Sequence, residues 1–401
     1  MHTNLQEENT KQMPRLNSIE LFAGAGGLAI GLHDAGFTPK AIVEFNKDAC
    51  QTIRSNKIFD HGSSLYEGDV SKFDYLSVTD TVDLVSGGPP CQPFSLGGKA
   101  KGNTDARDMF PEAVRAIREK RPRAFVFENV KGLLRKSFIN YFEYIILQLQ
   151  YPSIAKEPQE DWLQHRSRLE RYHTQSSHTE LEYNVVYRLL NAADYGVPQK
   201  RERVFIVGFR SDINANWSFP QPTHSEDSLL WDKWVTKSYW ARHGIKNPLD
   251  NAKEKHAAEK LIKKYGLFEP QHKPWVTVRD AICDLPDPRS PLAKSYNHHE
   301  FKSGAKVYPG HTGSYIDEPS KTLKAGGHGV PGGENMIRFE DGSVRYFTVR
   351  ESARIQTFPD SFEFQGAWGE VMRQLGNAVP TELSRKVGQS IFQALHLNKT
   401  A

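Results

Sequence analysis

One cysteine in this sequence stands among prolines, and its position is the clearest sign of chemistry in the chain. Cys91 lies in the run PPCQP (89–93), directly after an apolar stretch. Prolines fix the backbone φ angle and stiffen a loop, so they would hold the thiol in one place. The thiolate is the reactive form and a free thiol has a pKa of about 8.5, so a nucleophile here needs activation from elsewhere. Cys50 and Cys283 are expected to be core cysteines.

A carboxyl group at the end of another apolar run could assist such a nucleophile. Glu128 and Asn129 close the run FVFEN (125–129). Burial at the end of a strand raises the pKa of a carboxyl group towards the range of a useful general acid. The alternative is a solvated strand end, which would leave Glu128 without a chemical role.

Two arginines and a glutamine recur at every second position just before a third apolar run. Gln199, Arg201 and Arg203 therefore share one face of a predicted strand, because successive side chains of a strand point to opposite faces. An inward-facing row would bring these groups to a ligand. A charged strand is more commonly an exposed edge, and that alternative stays open.

A glycine-rich loop follows the first predicted strand. The run FAGAGGLA (22–29) opens a helix, and glycines let the backbone approach a ligand at a helix N-terminus. Glu44 follows Gly24 by 44 − 24 = 20 residues, a spacing at which a carboxylate accepts hydrogen bonds from a ribose. Asp69, at the end of a third predicted strand, is a second acid near this crevice. The alternatives are a tight turn for the glycines and a turn aspartate for Asp69.

These candidates need a scaffold that brings strand ends together, and the first half of the chain predicts one. Apolar runs alternate with amphipathic stretches there, which is typical of a doubly wound α/β fold with a mostly parallel sheet. The predicted strands are 18–22, 40–44, 83–86, 124–128, 187–190 and 202–209, and the predicted helices are 28–35, 47–55, 108–120 and 381–397. Ligands bind such sheets at the carboxyl ends of the strands, where Cys91 and Glu128 stand.

A change of composition after residue 210 predicts a second domain. The α/β rhythm gives way to a region rich in Trp, His, Pro and Lys, with repeated proline breaks. The predicted division is a disordered tail at 1–16, a first domain at 17–210 with a helical insertion at about 135–178, a smaller irregular domain at 211–368, and a C-terminal segment at 369–401 that returns to the first domain.

Composition excludes several classes of protein. The 401 residues carry 52 basic and 48 acidic side chains, a net charge of +4, so any nucleic-acid surface must be a local patch. No apolar run approaches the ~18 residues of a membrane span. The polar start is unlike a secretory signal, and three cysteines without a CxxC pair argue against a disulfide framework or a cysteine-based zinc site. We therefore expect a cytoplasmic protein with no metal site and no membrane partner.

Five motifs taken together resemble the cytosine-5 DNA methyltransferases of bacterial restriction–modification systems. The motifs stand in the order of that family from Phe22 to Pro380 and are FAGAGG (22–27), PPC (89–91), ENV (128–130), QKRER (199–203) and GNAVP (376–380). The resemblance implies a seven-stranded sheet of the S-adenosylmethionine-dependent type, with a target-recognition domain at 211–368. It also implies methylation of carbon 5 of a specific cytosine in double-stranded DNA, after the base is flipped out of the helix.

The resemblance assigns catalytic roles to five residues. Cys91 would add to carbon 6 of the cytosine, and Glu128 would share a proton with ring N3. Asn129 would brace the cysteine loop. Arg203 would reach the cytosine O2, and Arg201 a neighbouring phosphate or the cysteine loop.

The resemblance also implies the residues that hold the cofactor S-adenosylmethionine. Glu44 would bind the ribose, Asp69 the adenine amino group, and Pro89 would wall one side. The remaining predicted cofactor residues are Phe22, Gly24, Gly26, Gly27, Leu28, Asn377, Ala378 and Val379. One departure is Glu20, where many members of the family carry Asp; a carboxylate remains, so little effect is expected.

Double-stranded DNA is the implied partner. The predicted DNA-binding residues are Ser95, Lys99, Lys101, Gln199, Lys321, Lys324 and His328. A restriction endonuclease acting on the same site is a further expected partner, without a required complex, and the enzyme is expected to be a monomer.

Three other functions compete with this interpretation. Methylation of cytosine in transfer RNA uses related motifs, although the large variable region between Arg210 and Arg345 favours the reading of a DNA sequence. A nicotinamide-dependent oxidoreductase would share the glycine loop and Glu44, but it would not need Cys91 among prolines. A catalytically inactive DNA-binding module would not need the full set of catalytic residues.

Overall fold

Apolar runs in the first 210 residues form a seven-stranded sheet. The computed structural model describes residues 13–59, 62–90, 108–174, 181–246, 248, 251–266, 268–309, 311–325 and 335–397. The strands are β1 (Leu16–Leu21), β2 (Phe37–Glu44), β3 (Ser64–Glu67), β4 (Leu84–Gly87), β5 (Ala124–Val130), β6 (Tyr183–Asn191), β7 (Gln199–Lys200), β8 (Glu202–Arg210), β9 (His224–Ser225), β10 (Lys273–Pro274), β11 (Ser314–Tyr315), β12 (Ser320–Lys321), β13 (Met336–Arg338) and β14 (Val344–Tyr346).

The described helices surround this sheet and build much of the second region. They are α1 (Gly27–Asp34), α2 (Lys47–Arg54), α3 (Phe110–Lys120), α4 (Ile139–Gln150), α5 (Trp162–His173), α6 (Glu226–Trp234), α7 (Ser238–Arg242), α8 (Ala252–Tyr265), α9 (Val278–Ile282), α10 (Val349–Ile355), α11 (Trp368–Asn377) and α12 (Thr381–Leu397). Among them, none combines the length and the apolar character needed to cross a membrane.

The sheet has the strand order β3-β2-β1-β4-β5-β8-β6. Strands β3, β2, β1, β4 and β5 pair in parallel, whereas β8 runs antiparallel to both β5 and β6. Central strands such as β5 are buried on both faces, which explains their nearly continuous apolar sequence. The predicted doubly wound, mostly parallel α/β fold is confirmed.

Helices cover both faces of the sheet. On one face, α1 and α12 pack on residues such as Leu84, Val126 and Phe205. On the other face, α3 and α4 pack on residues that include Val85 and Phe127. The predicted helix at 381–397 coincides with α12, whose apolar side fits against α1.

The segment predicted as an insertion, about 135–178, is in part a component of the main core. Helix α4 connects β5 to β6, and Phe142, Ile145 and Leu149 are buried in the same apolar cluster as the sheet. A crossover between two parallel strands needs a helix of this kind, so α4 is not an addition to the fold. Its aromatic composition resembles that of the polar segment that follows, and for this reason the sequence predicts it as part of the insertion.

The second region packs around its own small cores and also against the first. An aromatic cluster includes Tyr239, Trp240 and Trp275, and Trp275 donates a hydrogen bond to Asp194 of the first region at 3.0 Å. Helix α10, although it precedes the predicted boundary at 368, shares an apolar cluster with the glycine loop. Its Ile355 also packs with Val278 and Ile282 of the second region, so this helix contacts both parts of the chain.

Candidate active site

The glycine loop turns sharply between β1 and α1. Phe22 and Gly24 have φ angles of 54° and 55°, a region that favours glycine, so the backbone is coiled tightly at this point. Phe22, Gly24, Gly27 and Leu28 line a cleft at the carboxyl ends of the strands. Gly26 does not line it: a Cβ at this position would lie 2.8 Å from the ring of Phe59, so its glycine serves packing.

Two acids from neighbouring strand ends enter the same cleft. The Glu44 carboxylate accepts hydrogen bonds from the main-chain N of Gly24 at 2.7 Å and of Asn46 at 2.6 Å. Asp69 follows β3, and hydrogen bonds from Ser71 hold the pKa of its carboxyl below the ordinary value, which keeps it ionised. The cleft thus presents fixed hydrogen-bond acceptors on one side.

The base of the cysteine loop is fixed by hydrogen bonds. Pro89 and Pro90 line the cleft directly after β4. The Asn129 side chain donates to Pro89 O at 2.9 Å, and the main-chain N of Met109 donates to Pro90 O at 3.2 Å. The two ends of the cysteine loop, at Pro90 and Met109, are therefore held next to each other. The predicted nucleophile Cys91 and the predicted DNA contacts Ser95, Lys99 and Lys101 lie between these anchors, outside the described residues.

A buried ion pair stands across the cleft from the glycine loop. Arg203 Nε lies 2.8 Å from Glu128 Oε1, and both side chains line the cleft while being nearly excluded from solvent. Burial raises the pKa of the Glu128 carboxyl, and the charges of Arg203 and Arg201 oppose that rise. Glu128 is therefore not the solvated strand end that the sequence left open.

Arg201 and Gln199 are placed differently from their predicted DNA-facing roles. Both side chains are fully buried. Arg201 donates to Leu323 O at 3.2 Å and to Gly376 O at 2.8 Å, and Gln199 accepts a hydrogen bond from the main-chain N of Leu323 at 3.0 Å. A fully buried arginine that binds two carbonyls cannot contact a phosphate. The burial of both side chains disagrees with the expected phosphate contact of Arg201 and DNA contact of Gln199, whereas the alternative expectation, a contact of Arg201 with the cysteine loop, falls on residues outside those described.

The C-terminal wall of the cleft comes from the end of α11. Asn377, Ala378 and Val379 line the cleft beside the glycine loop. They can approach the loop closely because Gly27 has no side chain: a Cβ at this position would overlap with Val379 O. The segment that the sequence predicts to close the cofactor site therefore lies against the loop.

The predicted DNA contacts of the second region divide into described and undescribed residues. Lys321 is exposed and donates to Thr312 Oγ1 at 2.8 Å. Lys324 is also exposed, and the Asn335 side chain bonds to both its main-chain N and O at 2.9 Å. His328 lies outside the described residues.

One cleft of about 880 Å³ joins the glycine loop, the two acids Glu44 and Asp69, the start of the cysteine loop, the Glu128–Arg203 pair and the segment 377–379. Its lining also includes residues that the sequence did not point to as site residues, among them Phe45 and Arg373. Phe45 is 75% exposed, an unusual state for a large apolar side chain, and it follows Glu44 directly. An exposed aromatic ring cannot be recognised from sequence, because only the structure shows that nothing covers it.

The two described cysteines differ from each other. Cys50 is buried, and this burial together with the Glu44 charge raises the pKa of its thiol to about 12. Cys283 is exposed, so the prediction that it is a core cysteine is wrong; it stands in the second region just after the short helix α9. Within the described ranges, no three His, Cys, Asp or Glu side chains converge as a metal site would require.

Comparison with known proteins gives consistent results over nearly the whole chain. The family model for C-5 cytosine-specific DNA methylases matches residues 16–151 and 161–393. The chain is 33% identical over 390 residues to the Type II methyltransferase M.PspPI of Psychrobacter sp. (strain TA137), with 94% of this chain and 79% of that protein covered. It is 31% identical over 387 residues to M.NgoMIV of Neisseria gonorrhoeae, also a Type II methyltransferase, with 95% and 98% covered.

Solved structures share the fold at low sequence identity. The Dnmt2 methyltransferase of S. pombe aligns with a TM-score of 0.54 at 17% identity, covering 96% of this chain and 100% of that one. The Entamoeba histolytica methyltransferase EhMeth aligns with a TM-score of 0.55 at 14% identity, covering 95% and 99%. The family match leaves only residues 152–160 unmatched between its two segments, in the link between α4 and α5. The chain belongs to the C-5 cytosine-specific DNA methylase family and is a DNA cytosine-5 methyltransferase.

Proposed function

We propose that this enzyme methylates one cytosine of a specific double-stranded DNA site, with S-adenosylmethionine as methyl donor, through base flipping and a covalent adduct between Cys91 and carbon 6 of the cytosine. The observation that carries the proposal is that a single cleft joins the glycine loop and Glu44 to the Glu128–Arg203 pair and to the start of the cysteine loop. Cofactor and target base would meet there.

The cofactor half of the cleft offers groups that suit an adenosine. Each oxygen of the Glu44 carboxylate accepts one main-chain hydrogen bond and keeps a lone pair for a ribose hydroxyl. Asp69 is available to an adenine amino group, and the exposed ring of Phe45 is a surface on which an adenine can stack. The bound cofactor supplies the methyl group on a positively charged sulfur.

The other half of the cleft offers groups that suit addition to a pyrimidine. A bond from the Cys91 sulfur to carbon 6 moves electron density of the ring towards carbon 5, which then becomes the nucleophile. Glu128, with its raised pKa, is suited to share a proton with N3 while charge develops there. After methylation, loss of the carbon-5 proton and departure of the thiolate restore the aromatic ring.

Arg203 and Asn129 position these reacting groups. Arg203 holds the Glu128 carboxyl and lies where it could donate to the cytosine O2. Asn129 ties the base of the cysteine loop to the same strand that carries Glu128. Adjacent residues of β5 thus hold the acid and the base of the cysteine loop.

The target cytosine must be flipped out of the stacked DNA helix to enter the cleft, and this unstacking costs a few kcal/mol. Phosphate contacts would offset that cost, and the exposed Lys321 and Lys324 are the described candidates to supply them. The Type II relatives favour a role as the protective methylase of a restriction–modification system. We further propose that the enzyme acts in the cytoplasm as a monomer, and beside a cognate endonuclease without a required complex.

The covalent step is tested by trapping. DNA that carries 5-fluorocytosine at the recognition site has no carbon-5 proton to lose, so the enzyme with S-adenosylmethionine should remain bound through Cys91. We expect a complex that survives denaturing electrophoresis, with a mass equal to enzyme plus methylated DNA.

Cysteine variants supply the controls. Cys91→Ala should abolish the trapped complex. Cys283→Ala should leave it unchanged, because Cys283 is an exposed thiol of the second region that does not line the cleft. A complex that persists in Cys91→Ala would refute the proposed nucleophile.

A further inference from the structure

Helix α8 carries a concentration of positive charge that the proposed mechanism does not use. Its 14 residues contain five lysines and two glutamates, a net charge of 5 − 2 = +3, whereas the whole chain of 401 residues has a net charge of +4. In the sequence the glutamates alternate with the lysines, so they could neutralise them. Whether they do depends on where each side chain points.

Glu254 points away from the surface lysines, towards α6. Its Oε2 accepts hydrogen bonds from Lys233 Nζ at 2.7 Å and from Trp234 Nε1 at 2.6 Å. Lys233 is 3% exposed, so this ion pair is a buried contact between the two helices and its negative charge is already matched. Within α8, all of which is described, Glu259 is therefore the one acid left on the surface, 3.5 Å from His256.

Three lysines of α8 share one exposed side of the helix. Lys253, Lys260 and Lys263 are exposed, and none forms an ion pair with any residue that the structure describes. Their spacings of seven and three residues return to the same side of a helix, and the buried Ala258 and Leu261 lie on the other side. At a rise of about 1.5 Å per residue the three lysines extend over about 15 Å. We call these three residues the basic stripe.

Polar contacts at both ends fix α8 in the second region. At the N-terminal end, the Asn251 side chain accepts a hydrogen bond from the main-chain N of Glu254 at 3.2 Å. At the C-terminal end, Tyr265 and Lys264 both donate to Asp227 of α6, at 2.8 and 2.9 Å. The basic stripe is thus presented by a helix with a defined position.

Helix α6 connects this position to the segment predicted to contact DNA. Glu226, the first residue of α6, lies 3.5 Å from Lys200 of β7, and Lys200 also lies 3.6 Å from Glu318. Strand β7 pairs with β12, which carries the exposed Lys321. The helix that carries the basic stripe and the predicted DNA segment are therefore attached to the same strand.

Two kinds of anionic surface could take such a stripe, duplex DNA and an acidic membrane. A helix that lies on a membrane needs a free apolar face to enter the lipid. The apolar residues Ala258 and Leu261 of α8 are buried instead. DNA carries a phosphate every ~3.4 Å along each strand, so a stripe of this length can face several phosphates. The structure therefore favours DNA.

We propose that the basic stripe of α8 binds the phosphate backbone of duplex DNA outside the sequence that the enzyme recognises. The proposal rests on double-stranded DNA as the substrate. Contacts of this kind carry no sequence information, but they position the duplex and add affinity. The enzyme would then hold DNA at two places, at the cleft and along the flanking duplex.

Flanking contacts have two measurable consequences. Each lysine that neutralises a phosphate releases counter-ions, so it contributes about 0.9 to the slope of log affinity against log salt concentration. Contacts outside the recognised sequence also require a duplex long enough to reach them. Binding to a short duplex that holds only this sequence should therefore be independent of the basic stripe.

The test compares wild-type enzyme with a triple variant, Lys253→Gln with Lys260→Gln and Lys263→Gln. Glutamine removes the charges and remains a good helix former. Two labelled duplexes carry the methylated sequence, as found by bisulfite sequencing, at their centre; one has about 14 base pairs, little more than a helical turn, and the other about 40. Binding is measured by fluorescence anisotropy at several salt concentrations, with S-adenosylhomocysteine present.

For the long duplex we expect the triple variant to bind at least about tenfold more weakly near physiological salt, and the salt slope to fall by about 3. For the short duplex the two proteins should bind within about twofold of each other. The affinity for S-adenosylhomocysteine should be unchanged, which shows that the variant is folded.

A second triple variant removes the same charge elsewhere. Lys57, Arg121 and Arg171 are exposed and stand on the connections that lead into β3, β5 and β6. Their replacement by glutamine should leave binding of both duplexes unchanged. Equal losses in the two triple variants would show a general effect of net charge and refute the proposal.

Other outcomes also refute it. A loss of affinity that is equal for the short and the long duplex would place the basic stripe within the recognised sequence. Unchanged binding of the long duplex would show that the stripe does not contact DNA. In that case, loss of binding to phosphatidylglycerol vesicles by the same variant would identify a membrane as the partner instead.

Failure of the inference can be told from failure of the proposed function. If wild type forms the 5-fluorocytosine adduct and the α8 variant binds the long duplex as tightly as wild type, only the role of α8 is refuted. If wild type neither forms the adduct nor binds the duplexes, the proposed function fails and this inference fails with it.

Discussion

The acidic residues of this cleft differ in pKa because their surroundings differ. Asp69 receives hydrogen bonds from Ser71 and keeps its charge, whereas Glu128 and Glu20 are buried and have raised pKa values. For Glu128, Arg203 supplies a nearby cation, and the proton can be shared with a substrate when that balance changes. Residue type alone therefore does not assign a chemical role here.

Replacing Glu128 should slow methyl transfer much more than it weakens cofactor binding. Glu128→Gln keeps the size of the side chain but cannot exchange a proton with N3, and a general acid contributes roughly 10²- to 10⁴-fold. We expect a fall of this size in kcat, measured by transfer of labelled methyl groups to DNA. Affinity for S-adenosylhomocysteine should change by less than about threefold, which also shows that the variant is folded.

A neighbouring glutamate gives a matched control. Glu202 lies on the same strand as Arg203, and its exposed carboxylate pairs with Lys131 at 2.7 Å. Glu202→Gln should keep a kcat close to that of the wild type. If Glu128→Gln were as active as this control, Glu128 could not be the proton donor.

The sequence predicted that Glu44, Asp69 and Glu128 lie at or near strand ends, because the end of an apolar run is a local property; the role of Cys91 stays a prediction. It misassigned Arg201 and Gln199 for the opposite reason. Arg201 binds carbonyls at Leu323 and Gly376, which are 122 and 175 residues away in the chain. Alternation along a strand shows which residues share a face, but it does not show whether that face is later covered.

At the scale of elements, the first and last helices of the sheet-bearing part depend on small residues at their contact. Gly31 on α1 lies so close to α12 that a Cβ would overlap with Thr381 O. The Ser384 hydroxyl donates to Leu28 O at 2.7 Å across the same contact. This packing holds the C-terminal segment beside the glycine loop.

Adding a methyl group at Gly31 should destabilise the protein. Gly31→Ala forces α1 and α12 apart, and overpacking of this kind costs about 1–3 kcal/mol. We expect the free energy of unfolding, measured by urea denaturation, to fall by that amount. The cofactor affinity should fall too, because the displaced α12 begins directly after the cofactor wall at Asn377, Ala378 and Val379.

Gly369 on α11 provides the control for this change. It is also a helical glycine, but nothing lies within 4 Å of the position its Cβ would take. Gly369→Ala should leave stability unchanged or raise it by up to ~1 kcal/mol, through helix propensity. Equal effects of the two substitutions would contradict the close packing described at Gly31.

Elements with a regular apolar period were predictable from the sequence. Elements whose role depends on the order of the strands in the sheet were not. Helix α12 has the predicted bounds because its apolar face repeats at helical spacing. Helix α4 was interpreted as part of an insertion, since its aromatic composition resembles the polar segment that follows. Its role as a crossover depends on β6 lying beside β8, a pairing that no local pattern encodes.

At the scale of the whole molecule, the second region is joined to the catalytic cleft by buried polar contacts. Strand β12 pairs with β7, and Arg201 connects the segment after β12 to the end of α11. The exposed Lys321 and Lys324 stand on the segment that is fixed in this way. The near-neutral net charge of +4 then fits an enzyme that holds DNA along one cleft.

The central claim is that this chain places a methyl group on carbon 5 of one cytosine in a defined DNA sequence and uses Cys91 to do so. Bisulfite sequencing of DNA from cells that express the wild-type enzyme, the Cys91→Ala variant or neither tests it most directly. The account predicts cytosines protected from conversion at a single recurring sequence, in wild-type cells alone. Absence of protected cytosines in wild-type cells, or protection that persists with Cys91→Ala, would contradict it.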